Sequence, residues 1–310
     1  MPRRCGTPLK IVCLLLLVSD SSLMAADTFT IATYNLENYL DAPSGQRRPK
    51  SEASKRKIRE SLVALKSDVL ALQEVGSTNV LLELRSALKT AGLDYPHWEF
   101  VYGFDTNIHV AVLSRFPLTA RRPRTNEGFL LNGRRFRVSR GFADVDVQVN
   151  ANYRFTLLTA HLKSRREVPQ ADEADLREQE AIVLRGIIDD HLKVHTDINL
   201  VVLGDFNDVK GSKPIRTLVG RGRTALTDTR PAERNGGDRS GPVAGLSPRN
   251  ITWTYYFGKE DTYSRVDYIL LSRGMAREWN FNGTYVLSLP DWGIASDHRP
   301  IVADFIARER

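Results

Sequence analysis

Short apolar runs recur along this chain, and most carry a polar side chain at one end. "INLVVL" runs into Gly204 and Asp205, "DVLALQEV" carries Glu74, "FTIATYNL" carries Asn35, and "RFTLLTAHL" carries His161. Runs of this length, rich in β-branched residues and leucine, read as buried strands, and open α/β sheets place their ligands at the ends of such strands. Between the early strands lie helix-like segments: "KRKIRESLVALKS", then "NVLLELRSALKTAG", ended by Gly92. "HVAVLS", "GFADVDVQV" and "RFTLLTAHL" then follow with short polar connections, which predicts antiparallel neighbours and hence a mixed sheet. From Asp172 to Leu192 the residues Leu176, Val183, Leu184, Ile187 and Ile188 recur at helical spacing, so one long helix precedes "INLVVL". The fold class is α/β.

The first 26 of the 310 residues have basic Arg3, Arg4 and Lys10, the apolar stretch "IVCLLLLV" and then Ala25 and Ala26, the layout of a secretory signal peptide. Eight apolar residues do not span a bilayer, so export to the periplasm or beyond is expected, with no transmembrane segment in the mature protein. Cys5 and Cys13 both lie in this leader. A mature chain without cysteine excludes thiolate–zinc sites, cysteine nucleophiles and disulfides. Loss of the leader takes the formal charge from +7 to +5, which suits an anionic substrate without singling out nucleic acid. Residues 230–250, rich in Gly, Pro and Arg, read as a long mobile loop and not as a linker, because chemistry-bearing residues lie on both sides. Residues 27–310 are therefore expected to form one domain, acting as a monomer.

Asp205, Asn207 and Asp208 crowd oxygen ligands after a strand, yet the stretch is no EF-hand loop: Val209 and Lys210 stand where the fifth ligand and the glycine belong. One such residue alone closes a turn or caps a helix. Asn35, Glu74, His161, Asp205, Asn207, Asp267, Asp297 and His298 all fall at predicted strand ends, and together they are hard to explain as caps. Zinc is disfavoured, since His161 and His298 are the plausible nitrogen ligands and no helical His-x-x-x-His pair supports them. His191 and His195 stand four apart near a helix end and are expected to be solvated or to face the helix dipole, and His97 and His109 to be equally bland.

With these residues in hand, the chain resembles the endonuclease/exonuclease/phosphatase superfamily, whose fold is that of deoxyribonuclease I. "TYNLEN", "QEV", "GDFND", "VDYIL" and "SDHRPI" occur in the family's order from about Thr28 to the C-terminus. The resemblance implies a four-layer α/β sandwich, two mixed β-sheets face to face with helices outside. It also implies a metal-dependent phosphodiesterase: a hard dication, Mg²⁺ with Mn²⁺ or Ca²⁺ as substitutes, held by Glu74 with Asn35 beside it and Asp297 helping. His298 oriented by Asp267 would activate the water, Asp205 and Asn207 would position water or phosphate, and His161 would donate to the phosphoryl oxygens or leaving group.

The substrate is expected to be a phosphodiester, with nucleic acid first. Seven arginines between Arg121 and Arg140 face one acid, Glu127, either as a polyanion track or as strand-edge charges. Arg140 and Lys163 are the chosen substrate contacts, and Trp292 a further candidate. "TWTYYF", residues 252–257, alternates like a core strand. Sphingomyelinases of the family carry a long aromatic hairpin before the terminal "SDH", and residues 279–293 look too short and polar for one. The alternatives are a phosphomonoesterase or a sphingomyelinase-like lipid phosphodiesterase on the same centre, and a silent polyanion-binding module.

Overall fold

The computed structural model describes Met1 and residues 28–233 and 251–308. The expected leader beyond Met1, and most of the stretch 230–250 expected to be a loop, lie outside the described residues. In chain order come β1 (Thr28–Tyr39), α1 (Glu52–Leu65), β2 (Val69–Val75), α2 (Thr78–Thr90), β3 (His97–Val101), β4 (His109–Ser114) and β5 (Leu118–Arg121). There follow β6 (Gly128–Leu131), β7 (Arg134–Arg137), β8 (Phe142–Gln148), β9 (Arg154–His161), α3 (Glu173–Val194), β10 (Leu200–Asp205) and α4 (Lys213–Val219). The chain ends with β11 (Thr227–Asp228), β12 (Tyr255–Phe257), β13 (Thr262–Ser264), β14 (Asp267–Leu271), α5 (Arg273–Ala276), β15 (Trp279–Val286) and β16 (Ile301–Ile306).

Two six-stranded sheets form, ordered β15-β16-β1-β2-β4-β3 and β11-β14-β10-β9-β8-β5. Both are mixed: β1 and β2 are parallel, as are β9 and β10, while the other pairs are antiparallel. The period of two along each strand makes the layers. Ile31, Ala71, Leu157, Val201 and Ile269 point between the sheets, whereas Ala32, Leu70 and Leu72 face α1 and α2, and Leu158, Val202 and Leu270 face α3 and α4. Each fully buried Leu, Val or Ile there contributes about 1.5–3 kcal/mol. The result is the expected α/β sandwich with helices outside. Ser51, Ser77 and Asp172 cap α1, α2 and α3 by accepting from N–H groups of their first turns, and Gly92 follows α2 with φ +88°.

Several sequence expectations need correction. β8 and β9 are antiparallel neighbours, but "HVAVLS" becomes β4 in the other sheet, because its partners are β2 and β3. Only Tyr255–Phe257 of "TWTYYF" is strand, half-buried in a hairpin with β13 rather than in the core. His109 is 2 % exposed, packed against Phe100 and Tyr102, and burial lowers its pKa. His191 is not merely solvated: Nε2 lies 3.0 Å from Oδ2 of the fully buried Asp144. Of the seven arginines, Arg121 pairs with Glu99, Arg122 with Asp144 and Asp146, and Arg124 reaches Asp144 and Glu127. Those three are spent on tertiary ion pairs and offer no free track.

Candidate active site

The central strands of both sheets deliver the polar residues to one place. In the second sheet Asp205 is in register with His161 on one side and Asp267 on the other. Gly204 makes this close approach possible: its φ is +135°, and a Cβ there would lie 2.0 Å from Ala160 O. In the first sheet the pairing of β1 with β2 slips between Asn35 and Tyr39, and that of β2 with β4 between Leu72 and Val75. Glu74 sits within the second slip at φ 61°, a left-handed conformation unusual for a residue with a side chain. The bulge re-aims its carboxylate, and Oε2 accepts from Asn38 N at 2.8 Å. Asn207 likewise has φ 54°. Such strained positions persist where the surroundings over-determine them, commonly at functional sites.

Asp205 Oδ2 is the centre of the arrangement. It accepts from Asn35 Nδ2 at 2.9 Å and Asn207 Nδ2 at 3.2 Å, with His161 Nε2 at 3.4 Å and His298 Nε2 at 3.7 Å. His298 Nδ1 lies 2.9 Å from Asp267 Oδ2, which leaves Nε2 facing Asp205. Behind the pair, Ser296 Oγ donates to Asn35 O and accepts from His298 N, joining the "SDH" segment to the end of β1. The Tyr255 ring packs on the His298 imidazole with centroids 4.7 Å apart. All of Asn35, His161, Asp205, Asp267 and His298 are buried.

This environment drives the two histidines apart. Burial works against the His298 imidazolium, but Asp267 and Asp205 outweigh it and hold its pKa well above 6.5. His161 has no such compensation: burial, with repulsion from Arg140 and His298, pushes it well below 6.5. Burial also lifts the Asp205 carboxyl to about 7, against the pull of His298. Two neighbouring imidazoles with pKa values moved in opposite directions are the pattern of groups with separate acid–base tasks.

Two sets of groups are candidates to hold a metal. Ligand atoms of Asp205, Asp267 and His298 lie within 4.8 Å of one another, but Asp267 Oδ2 and His298 Nδ1 already satisfy each other. Asp267 and His298 form a hydrogen-bonded pair, with Asp205 Oδ2 3.7 Å from the other ring nitrogen. Glu74 is more open: Oε1 has His161 Nε2 only at 4.0 Å. Asp297 has His298 Nε2 at 3.9 Å, and repulsion from Glu37 and Glu74 adds to burial in raising its pKa. Neighbouring carboxylates with free oxygens, next to the Asn35 amide, form a hard oxygen donor set that fits a divalent cation better than zinc. Asp208, by contrast, is taken by Arg177 Nε at 2.9 Å.

Arg140 is 4 % exposed and donates from NH1 to Leu162 O at 3.0 Å, while its Nε is buried without a hydrogen-bond partner. Lys163 turns Nζ onto Ser164 O and Arg166 O of its own loop, and burial, aided by Arg140, lowers its pKa to about 8. Trp292 lines a cavity of about 360 Å³ with Glu37, Tyr256, Asp291, Gly293, Ser296 and Asp297.

Sequence reasoning missed the supports behind these loops. Glu180 of α3, 1 % exposed, accepts from Ser139 N (2.8 Å), Ser139 Oγ (2.7 Å) and Lys163 N (2.6 Å), so one carboxylate ties down the segments on either side of Arg140 and His161. Arg177, one turn earlier, donates to Lys163 O and Asp208. The signal was present: Glu180 falls in the stripe Leu176, Leu184, Ile188, where an exposed glutamate does not belong. Glu180→Ala is expected to cost about 3 kcal/mol, because it leaves buried N–H groups unpaired; chemical denaturation measures it. Arg47, on the loop after β1, was also missed; it stands 3.7 Å from Glu74 Oε2.

Solved structures share this fold across nearly the whole chain. The human Nocturnin catalytic domain with bound sulfate is 16 % identical, with a TM-score of 0.63 over 91 % of this chain and 95 % of that one. The 3′ phosphatase NExo from Neisseria, bound to a product DNA hairpin, is 18 % identical, with a TM-score of 0.58 over 89 % and 99 %. Sphingomyelinase C from Streptomyces griseocarneus is 17 % identical, with a TM-score of 0.59 over 90 % and 99 %. No curated protein sequence matches. The model of the Endonuclease/Exonuclease/phosphatase family matches residues 32–298, a span that opens just before Asn35 and closes on His298, and the chain belongs to that family of phosphoester hydrolases.

Proposed function

We propose that this protein is an exported, divalent-metal-dependent phosphodiesterase of nuclease type. The observation that carries the reading is the convergence of the His298–Asp267 pair, Asp205 and the Glu74 carboxylate at the ends of the central strands of the two sheets. Glu74 and Asp297, beside Asn35, would hold a dication, and the chemistry it would supply is positive charge against a phosphate oxygen. The chain's own groups do the rest. His298 Nε2, in its neutral form, takes a proton from the attacking water, and Asp267 fixes the tautomer and stabilises the imidazolium that results. Asp205 and Asn207 orient the water or the phosphate. His161, kept neutral, donates to the phosphoryl or leaving-group oxygen, and Arg140, whose Nε stands 3.6 Å from Asp105, adds positive charge near the site.

The test is a substrate panel of plasmid DNA, RNA, a phosphomonoester and sphingomyelin with Mg²⁺ or with EDTA. Nucleic-acid cleavage that needs Mg²⁺ is expected, and hydrolysis of nothing under any metal condition sinks the reading. A lipid phosphodiesterase is the second reading. The cavity of Tyr256 and Trp292 with the carboxylates of Glu37, Asp291 and Asp297 suits a cationic headgroup. Against it, Trp279–Val286 is spent as an edge strand of the first sheet rather than standing out as a hairpin. Among the described residues no helix is long and apolar enough to cross a membrane.

A further inference from the structure

The hairpin β6–β7 uses only one of its faces to hold itself in place. Phe129 and Phe136 stack at 5.9 Å, and Phe129 packs onto the core under α3. The opposite face presents Leu130, 67 % exposed, in register with Arg135, and Gly128 in register with Arg137. Arg134, Arg135 and Arg137 are exposed and make no ion pair with a described residue, unlike Arg121, Arg122 and Arg124. The Arg137 guanidinium lies 5.8 Å from the centroid of Phe104, whose side chain is 64 % exposed on the loop between β3 and β4. That loop is seated on the site: a Cβ at Gly103 would lie 2.3 Å from the Arg140 carbonyl carbon, and Asp105 N donates to Ser139 O at 2.6 Å. Arg140 then reaches Leu162 O, which also accepts from Asn207. A basic, aromatic strip thus runs outward from the Ser139–Arg140 segment beside the candidate site.

We propose that this strip, Arg135, Arg137, Leu130 and Phe104, binds a single-stranded stretch of nucleic acid beyond the scissile bond. The inference rests on the nuclease reading and adds a contact surface to it. Arginines two apart on a strand stand about 7 Å apart, a spacing suited to successive phosphates of an extended strand, and an exposed ring offers a stacking platform for an unpaired base. Duplex DNA shows no free base face to Phe104. An anionic membrane fits less well, since only Leu130 and Phe104 of the strip are apolar.

The experiment compares wild type with Arg135→Glu/Arg137→Glu and, separately, Phe104→Ala. Each is assayed on a single-stranded oligonucleotide of about 30 nucleotides and on bis(p-nitrophenyl) phosphate, a diester too small to reach the strip. The double variant is expected to lose at least ~10-fold in kcat/KM on the oligonucleotide, with the slope of log affinity against log salt flattened by about 1.4, and Phe104→Ala a smaller, salt-independent part. Hydrolysis of the small diester is expected to be unchanged. Equal losses on both substrates, or no loss on the oligonucleotide, overturn the strip. So does salt-sensitive binding to phosphatidylserine vesicles, but not to the oligonucleotide, that the double variant abolishes. Failure of the nuclease reading shows separately, as wild type that hydrolyses the small diester and cleaves no nucleic acid.

Discussion

His298→Ala is expected to lower turnover by at least ~10²-fold while leaving substrate affinity little changed, as removal of a general base does. The effect should be large because no other group stands ready to take the proton: His161 is too weak a base, and Asp205 is held partly protonated by burial. Asp267→Asn provides the companion measurement. Asp267 raises the His298 pKa, so its removal brings that pKa down toward 6.5, and the acid limb of the pH–rate profile moves to lower pH. The rate at its plateau falls as well, because the tautomer is no longer fixed and the imidazolium no longer stabilised. An acid limb that stays put, or moves up, assigns the limb to another group.

Glu74→Gln is expected to weaken Mg²⁺ or Mn²⁺ binding by more than ~100-fold, since even residues behind a ligand are worth 10–100-fold in affinity. Turnover falls in parallel and returns in part at high metal concentration. Glutamine keeps the side-chain length and meets the same left-handed backbone, so the change isolates the charge from the strain at φ 61°. Titration calorimetry on the folded variant reads the affinity directly. If Glu74→Gln binds metal as wild type does, the cation belongs with Asp205, Asp267 and His298, whose ligand atoms also converge.

The strand-and-helix alternation was legible because burial imposes it locally: each strand must hide one face between the sheets and the other under a helix, and "VLALQEV" or "LVVLGD" shows this without reference to anything distant. The family motifs were legible for the same reason, each being a few contiguous residues. Fates set by distant partners were not. For Arg122 a basic track and a strand-edge charge were equal readings, and only Asp144 and Asp146, 22 and 24 residues away, decide between them by pairing with it across β5 and β8. His191 meets the same Asp144 across 47 residues. "TWTYYF" has the alternation of a core strand, and only the tertiary structure puts Tyr255–Phe257 in a hairpin with β13 and the Tyr255 ring against His298.

By itself the sequence determined the α/β class and the order of the motifs, and named the candidate groups for a hard cation and a proton transfer, all properties carried by local pattern and side-chain chemistry. The tertiary structure decided how those groups act together. The slips in register around Glu74, the close passage at Gly204 and the carboxylate of Glu180 under the loops bring side chains within a few ångströms of each other. At that range, and out of water, neighbouring charges and burial move the two histidine pKa values in opposite directions and set which arginine stays free, because electrostatic energies depend on distance and solvation that no linear spacing encodes.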